Sequence, residues 1–278
     1  MHDKDLIAAI ETIEAEAFAD IYKATPQEYA VSNGVMLQQF GSGTCLTHQT
    51  IVIPELARVV GLQDVNDFEV ATRWMRYNCA PGWVVQIPPP LDELARYAEE
   101  QNMAPRGNGW AKFYQKLPSS GLRDNDQVHC DLTAKIVTAA EADAFANIIS
   151  QSFGLPSDLA EWLSLVAGRR NWTIHLAYHD EKPVSCAAMY SNGKFGWFGI
   201  DGTLPDYRGR GGQKLLIRSR LEHAARLHLK GVTAETGQPE RGKEADHASF
   251  SNYRKSGFTQ MYVRANYALP AAAEPTVG

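Results

Sequence analysis

The stretch that most constrains this chain is Thr203-Leu204-Pro205-Asp206-Tyr207-Arg208-Gly209-Arg210-Gly211-Gly212-Gln213. It joins an apolar, aromatic segment, Phe195 to Ile200, to a long amphipathic segment that starts near Gln213. Glycines and arginines interleaved at such a junction let the main chain curl tightly and turn successive N–H groups inward. The helix expected next points its positive end at the same place, and its first turn carries no Asp or Glu to repel an anion. Lys214 adds a cation. The pattern predicts a pyrophosphate cradle. A basic strand-to-helix turn with no ligand is the plainer alternative.

Composition narrows the remaining classes. At 278 residues, with 44% hydrophobic and 21% charged residues, the chain can bury one large core or two modest ones. A net charge of −5 argues against non-specific nucleic-acid binding, because no overall basic field exists to neutralise phosphates. The basic residues gather locally instead, as Arg208, Arg210, Lys214, Arg218 and Arg220. Cys45, Cys79, Cys130 and Cys186 are scattered, with neither C-x-x-C pairs nor matching histidines, so free thiols and no metal are expected. Met1 is followed by His2, Asp3, Lys4 and Asp5, and no run approaches the ~18 apolar residues of a membrane span. A cytoplasmic protein without signal peptide or membrane segment is expected, either monomer or homodimer.

Taken in order, Leu6 to Tyr22 has helical apolar spacing, with acidic residues between, and Ala24-Thr25-Pro26 ends it. Val35–Phe40 and Thr44–Val52, separated by Gly41-Ser42-Gly43, predict a hairpin. Val65–Asn78 predicts a helix, Trp83–Ile87 a strand, Leu91–Gln101 a helix and Trp110–Leu117 a strand. Pro118 to Asp126 is polar and rich in breakers, a linker. Beyond it come a strand at Lys135–Val137 and helices at Ala139–Phe153 and Asp158–Val166, the latter capped by Ser157. A meander of Trp172–Tyr178, Val184–Tyr190 and Phe195–Ile200 follows. The long helix buries Ile217, Leu221, Ala224, Ala225 and Leu229, and Gly231 closes it. Val232–Thr236, a helix ending at Gly257, a strand from Thr259 to Leu269 and a disordered tail complete the chain.

Arg208-Gly209-Arg210-Gly211-Gly212-Gln213 resembles the acetyl-CoA-binding motif of the GNAT acetyltransferases, in which arginine or glutamine is followed by two residues, glycine, any residue, and glycine or alanine. Arg208 and Gly211 fill the first and fourth places, while Gln213 departs from the family at the sixth. Pro205 and Tyr207 stand where the family often has a proline and an aromatic, and Tyr253-Arg254-Lys255-Ser256-Gly257-Phe258 resembles its later Tyr-x-x-x-Gly-Phe signature. The resemblance covers about Leu132 to Leu269. It implies an α/β (α+β) fold: a mixed, mostly antiparallel sheet flanked by helices. The helix-strand-helix-strand run from Val65 to Leu117 repeats the finish of the second half, but Gly61-Leu62-Gln63-Asp64 lacks the glycine-arginine loop. We therefore expect a tandem duplication, with residues 1–128 a degenerate GNAT-like domain and 129–278 the acetyltransferase domain.

The resemblance also implies roles. Acetyl-CoA would be the cosubstrate, bound by Arg208, Gly209, Arg210, Gly211, Gly212 and Gln213. The main chain of Ile200, Gly202 and Thr203 would pair with the pantetheine arm, and Asn252, or alternatively Ser249, would hold a pantetheine amide. Gly199 and Gly202 fit a close backbone approach but equally a simple bulge. Attack of an amine on a thioester needs a free amine, a polarised carbonyl and a proton for the thiolate. Tyr253 stands at the general-acid position, a core tyrosine being the alternative. Glu235, near a strand end, is the first candidate for the base, although strand parity leaves its face open and a solvated carboxylate is equally compatible. Glu240 and His247 are weaker candidates, and His175 reads as a core histidine or a pocket wall. Trp197, Phe198 and Tyr190 are either core or acceptor pocket. The expected function is transfer of an acetyl group to an amine of a small molecule. A non-catalytic acyl-CoA sensor would use the same cradle without Tyr253 or Glu235.

Overall fold

The computed structural model describes residues 3–89, 91–118 and 130–270. In chain order they form α1 (Asp3–Lys23), α2 (Gln27–Asn33), β1 (Met36–Phe40), β2 (Gly43–Thr47), β3 (Arg58–Val60), α3 (Val65–Asn78), β4 (Val84–Ile87), α4 (Asp92–Glu100), β5 (Ala104–Pro105) and β6 (Trp110–Lys116). Then follow β7 (Thr133–Val137), α5 (Ala142–Phe153), α6 (Ser157–Ser164), β8 (Trp172–His179), β9 (Lys182–Ser191), β10 (Phe195–Thr203), α7 (Gly212–Arg226), β11 (Gly231–Gly237), α8 (Ala248–Lys255) and β12 (Thr259–Ala268). Single 3-10 turns precede α5 and α7.

Packing divides the chain into two compact units, Met1–Trp110 with Tyr262–Gly278, and Ala111–Met261. The expected boundary at 128/129 differs from this division. Strand β6 sends Ala111 and Phe113, and the residue after it, Leu117, into the core built by α7, β11 and α8, so it belongs to the second unit. The end of β12 pairs with β4, with Ala265 opposite Ile87 and Tyr267 opposite Val85, and Tyr267 joins the first unit's core. Most of the proposed linker, residues 119–126, and the tail beyond Leu269-Pro270 lie outside the described residues.

In the first unit β1 and β2 form the expected hairpin, Phe40 pairing with Gly43. β2 stops at Thr47, short of Val52, because the His48 ring nitrogen accepts from the Ile51 N–H and turns the chain. β3 pairs antiparallel with β2 and parallel with β4. Three elements escaped the pattern reading: α2 buries no residue and so has no apolar stripe, β3 is three residues long and β5 two. The acidic residues of α1 are not all solvated. Glu11 and Glu14 are buried against Arg264, with Glu14 also 3.1 Å from Arg58 and Glu11 accepting from Tyr262. Buried charges persist only in such paired, hydrogen-bonded sets.

The second unit carries the strand order β7-β8-β9-β10-β11-β6. The β7–β10 steps are antiparallel, and β10 runs parallel to β11. The parallel pair is bridged by α7, as β3 and β4 are bridged by α3 in the first unit. Ser157 is the first residue of α6 and Pro156 its N-cap; the capping box lies instead at Thr138 and Glu141. Gly231 begins β11 and does not close α7. His228 takes the left-handed conformation there (φ 55°), with Leu229 N–H donating to Ala224 O and His228 N–H to Ala225 O. The buried residues of α7 are Gly212, Leu216, Ile217, Arg220, Leu221 and Ala224; Ala225 is half-buried and Leu229 lies past the helix end.

Candidate active site

The site starts where strand pairing stops. β10 and β11 pair from Phe195/Gly231 to Phe198/Ala234 and no further, although β10 runs on to Thr203 and β11 to Gly237. On its other edge β10 carries a bulge: Gly199 faces Ala188 and Gly202 faces Cys186, three steps against two. Ile200, inside the bulge, has φ 54°, a costly conformation for a β-branched residue. Of the two sequence readings of the glycines, the bulge is present. It lies just beyond the last residue of β10 paired with β11, and residues 201–203 form part of the wall of a cleft.

That cleft measures about 920 Å³ and lies within the second unit. Its walls include Gly202, Thr203, Arg208, Gly209, Arg210, Gly211, Gly212, Gln213, Ser249 and Asn252, so most of the expected cofactor residues meet there. Ile200 is not on the wall, but its neighbour Asp201 is. Gly211 is the N-cap of α7 at φ 86°, a left-handed conformation that favours glycine, and the helix's first turn is free of acidic residues. A Cβ on Gly212 would stand 2.3 Å from Ser185 Oγ, so glycine lets the helix start lie this close to β9 without displacing that side chain. Gln213, the departure from the motif, holds the wall together: it donates to Ser249 Oγ at 2.6 Å and accepts from Asn252 at 2.8 Å. The Arg208 guanidinium donates to Ser152 O at 2.7 Å.

Behind the wall lies a network that local patterns did not reveal. Arg220, fully buried on α7, donates to both oxygens of Asp201 at 2.7 and 2.8 Å and to Ala188 O. Burial works against the Arg220 charge, but Asp201 and then Tyr253 outweigh it, and its pKa rises. Tyr253, 2% exposed, donates its hydroxyl hydrogen to Asp201 Oδ2 at 2.9 Å. Burial, then the Asp201 charge, raise the phenol above its ordinary range. Tyr253 is not part of the cleft wall. The signature around it also has a conformational reading. Phe258 N–H donates to Tyr253 O, Gly257 N–H donates to Arg254 O, Gly257 has φ 91°, and the Tyr253 and Phe258 rings pack edge to face at 5.1 Å. Tyr-x-x-x-Gly-Phe is here a helix terminator with its usual apolar contact.

Glu235 follows the last paired residue of β11, and its carboxylate bonds the buried Lys112 ammonium at 3.0 Å. Of the weaker candidates, Glu240 pairs with Lys243 on the surface, and His247 caps α8 by accepting from Phe250 N–H. His175 is buried against Ser219 at 2.9 Å, with its pKa lowered to about 3 by burial, Arg220, His223 and Arg226. Trp197 and Tyr190 pack around Trp172, and Phe198 lies under the Arg220 guanidinium. These three are buried core. Among the described residues no cluster of His, Cys, Asp and Glu could hold a metal, and no helix is long and apolar enough to cross a membrane.

A parallel pair that parts beside a glycine turn at a helix start sets the arrangement against known folds. A GCN5-related N-acetyltransferase from Kribbella flavida superposes with a TM-score of 0.59 at 15% identity, over 88% of this chain and 94% of that one. The fold is that of the GNAT proteins. A second GCN5-related N-acetyltransferase, from Sphaerobacter thermophilus, gives 0.54 at 14% identity over 87% and 85% of the two chains. A tandem GNAT protein from the clavulanic acid biosynthesis pathway gives 0.55 at 14% over 84% and 82%. No protein-family model matches the sequence, and no curated protein matches it. The GNAT likeness therefore rests on architecture. It spans both units, in keeping with the repeated parallel pair and bridging helix in each.

Proposed function

We propose that this chain is an acetyl-CoA-dependent N-acetyltransferase that acetylates an amine of a small molecule by direct attack, without a covalent enzyme intermediate. The observation that carries the reading is the parting of β10 and β11 beside a cleft that ends at the Gly209–Gly212 turn. The donor set suits the cosubstrate. Main-chain amides of residues 209–213 at a helix start, with Arg208 and Lys214 beside them, match a pyrophosphate, and the unpaired edge of residues 200–203 matches the pantetheine amides. When bound, acetyl-CoA supplies a thioester carbonyl open to nucleophiles. The amine nitrogen forms a bond to that carbon, the C–S bond breaks, and the thiolate leaves.

Glu235 takes the amine proton in this reading, directly or through water. Lys112 keeps its carboxylate oriented at the end of the paired segment. The geometry favours Tyr253 as a positioning residue. Loss of its proton would leave a phenolate 2.9 Å from Asp201, two like charges in a buried site. The thiolate then takes its proton from water in the open cleft. The second reading, an acyl-CoA sensor without turnover, draws support from one fact: both acid–base candidates already hold internal partners.

The test is a calorimetric titration with CoA followed by thiol release from acetyl-CoA over a panel of small amines. Binding with amine-dependent thiol release is expected. Binding without release for any amine would favour the sensor, and no binding would overturn both readings.

A further inference from the structure

Resting on the acetyl-CoA reading above, we propose that Arg210 and Lys182, gathered around Tyr207 at the cleft rim, form a separate site for the ribose 3′-phosphate of the cosubstrate. The protein would thereby tell CoA from 3′-dephospho-CoA.

Three basic side chains from three segments converge on one ring. The Arg210 guanidinium lies 5.2 Å from the Tyr207 centroid, the Lys182 ammonium 5.1 Å and the His179 ring 5.5 Å. Tyr207 and Arg210 line the cleft. Asp131 is shared between Arg210 at 3.4 Å and His179 Nε2 at 3.3 Å, and Asp180 lies 3.7 Å from His179 Nδ1. Lys182 has an aromatic face as its partner among the described residues. Arg208, in contrast, spends its guanidinium on a main-chain carbonyl. The rim thus offers two permanent positive charges beside a cleft already provided with main-chain amides; of its two carboxylates, Asp131 is divided between Arg210 and His179, and Asp180 lies by His179 alone.

The chemistry of the two anion sites differs. Main-chain N–H groups at a helix start suit a diphosphate passing close to the backbone. Side-chain cations, Arg210 from the turn itself and Lys182 from β9, suit a terminal phosphate monoester, which carries more charge per group and presents three oxygens to arginine and lysine. CoA contains both, on one molecule. Exchange of Asp131 for the monoester would leave Arg210 paired throughout.

Calorimetry with CoA and with 3′-dephospho-CoA tests this at low ionic strength. Because Arg210 is 44% exposed, the preference is modest: we expect CoA to bind about tenfold tighter, with the ratio shrinking as salt rises. Lys182→Ala, at an exposed position, should bring the two affinities within about twofold by weakening CoA alone, and Arg210→Ala should act in the same direction. Equal affinity of the unaltered protein for the two ligands would overturn the rim site while leaving the acetyltransferase reading intact. So would a preference that survives Lys182→Ala. Failure to bind either ligand would instead overturn the reading on which the site rests.

Discussion

Tyr253 is where residue chemistry bears most directly on mechanism. Its hydroxyl contributes one hydrogen bond to a carboxylate that Arg220 already neutralises, and its ring packs between Phe113 and Phe258. Tyr253→Phe should therefore cost about 1.5–3 kcal/mol of stability, as for a hydrogen bond to a charged group, and lower kcat by only a few fold. A loss of about 10²–10⁴ in kcat with CoA affinity unchanged would instead establish it as the general acid. Melting temperature and single-turnover rates on this variant separate the two. His175 gives a second prediction, on pH. Its folded pKa is lowered to about 3 from 6.5, with Arg220, His223 and Arg226 facing it. Between those values the unfolded chain binds a proton that the folded one does not, so stability falls as pH falls from about 6.5 toward 3. The slope from this one group is at most about 1.4 kcal/mol per pH unit. Denaturant titrations at several pH values should show a shallower slope in His175→Asn, and an unchanged slope would refute the assignment.

At the scale of elements, two helices in equivalent places differ at their first turns. α7 begins with Gly211 as N-cap and no acidic residue. α3 begins with Asp64, whose carboxylate caps the Asp67 N–H, while the Asp67 carboxylate accepts from Ser42 N–H and Oγ at 2.8 Å each. The N-terminus of α3 is thus satisfied by its own carboxylates, which would repel a phosphate. One CoA per chain is the expected stoichiometry. Gly211→Asp, which places a side chain at φ 86° and a negative charge at the start of α7, should abolish that binding. Two sites in a titration, or unimpaired binding by the variant, would show that the cradle lies elsewhere.

The whole molecule is cut differently from its sequence. The second unit takes residues 111–118 from before the 128/129 position, and the first takes residues beyond 261. A fragment of residues 129–278 would lack Phe113, packed on Phe250 and Tyr253, and Lys112, the partner of Glu235. A fragment of residues 1–128 would lack Arg264, the guanidinium that Glu11 and Glu14 share, and would keep only Arg58 beside Glu14. Removing one member of a buried ionic set costs about 3–5 kcal/mol, a large share of a domain's stability. Neither fragment should unfold cooperatively on heating, as followed by circular dichroism, whereas the full chain should. A sharp transition in the 129–278 fragment would contradict this.

What the sequence determined by itself is what short range determines. The glycine-arginine turn, the helix behind it, the hairpins and α3 at Val65–Asn78 follow from backbone preferences and apolar periods within a few residues. The order of elements then sufficed to suggest the fold class, and the absence of a glycine-arginine loop before α3 was legible against the loop before α7. Other features needed the folded chain. Asp201 meets Arg220 across 19 residues and Tyr253 across 52, while Lys112 meets Glu235 across 123. No local period encodes such pairs, because the sheet's strand order decides which side chains share a face. The same holds for β6 and the end of β12, whose pattern announces a strand but not a partner. Tertiary structure alone turned a tyrosine marked by its motif into the donor of a buried carboxylate, since only packing brings that carboxylate within reach.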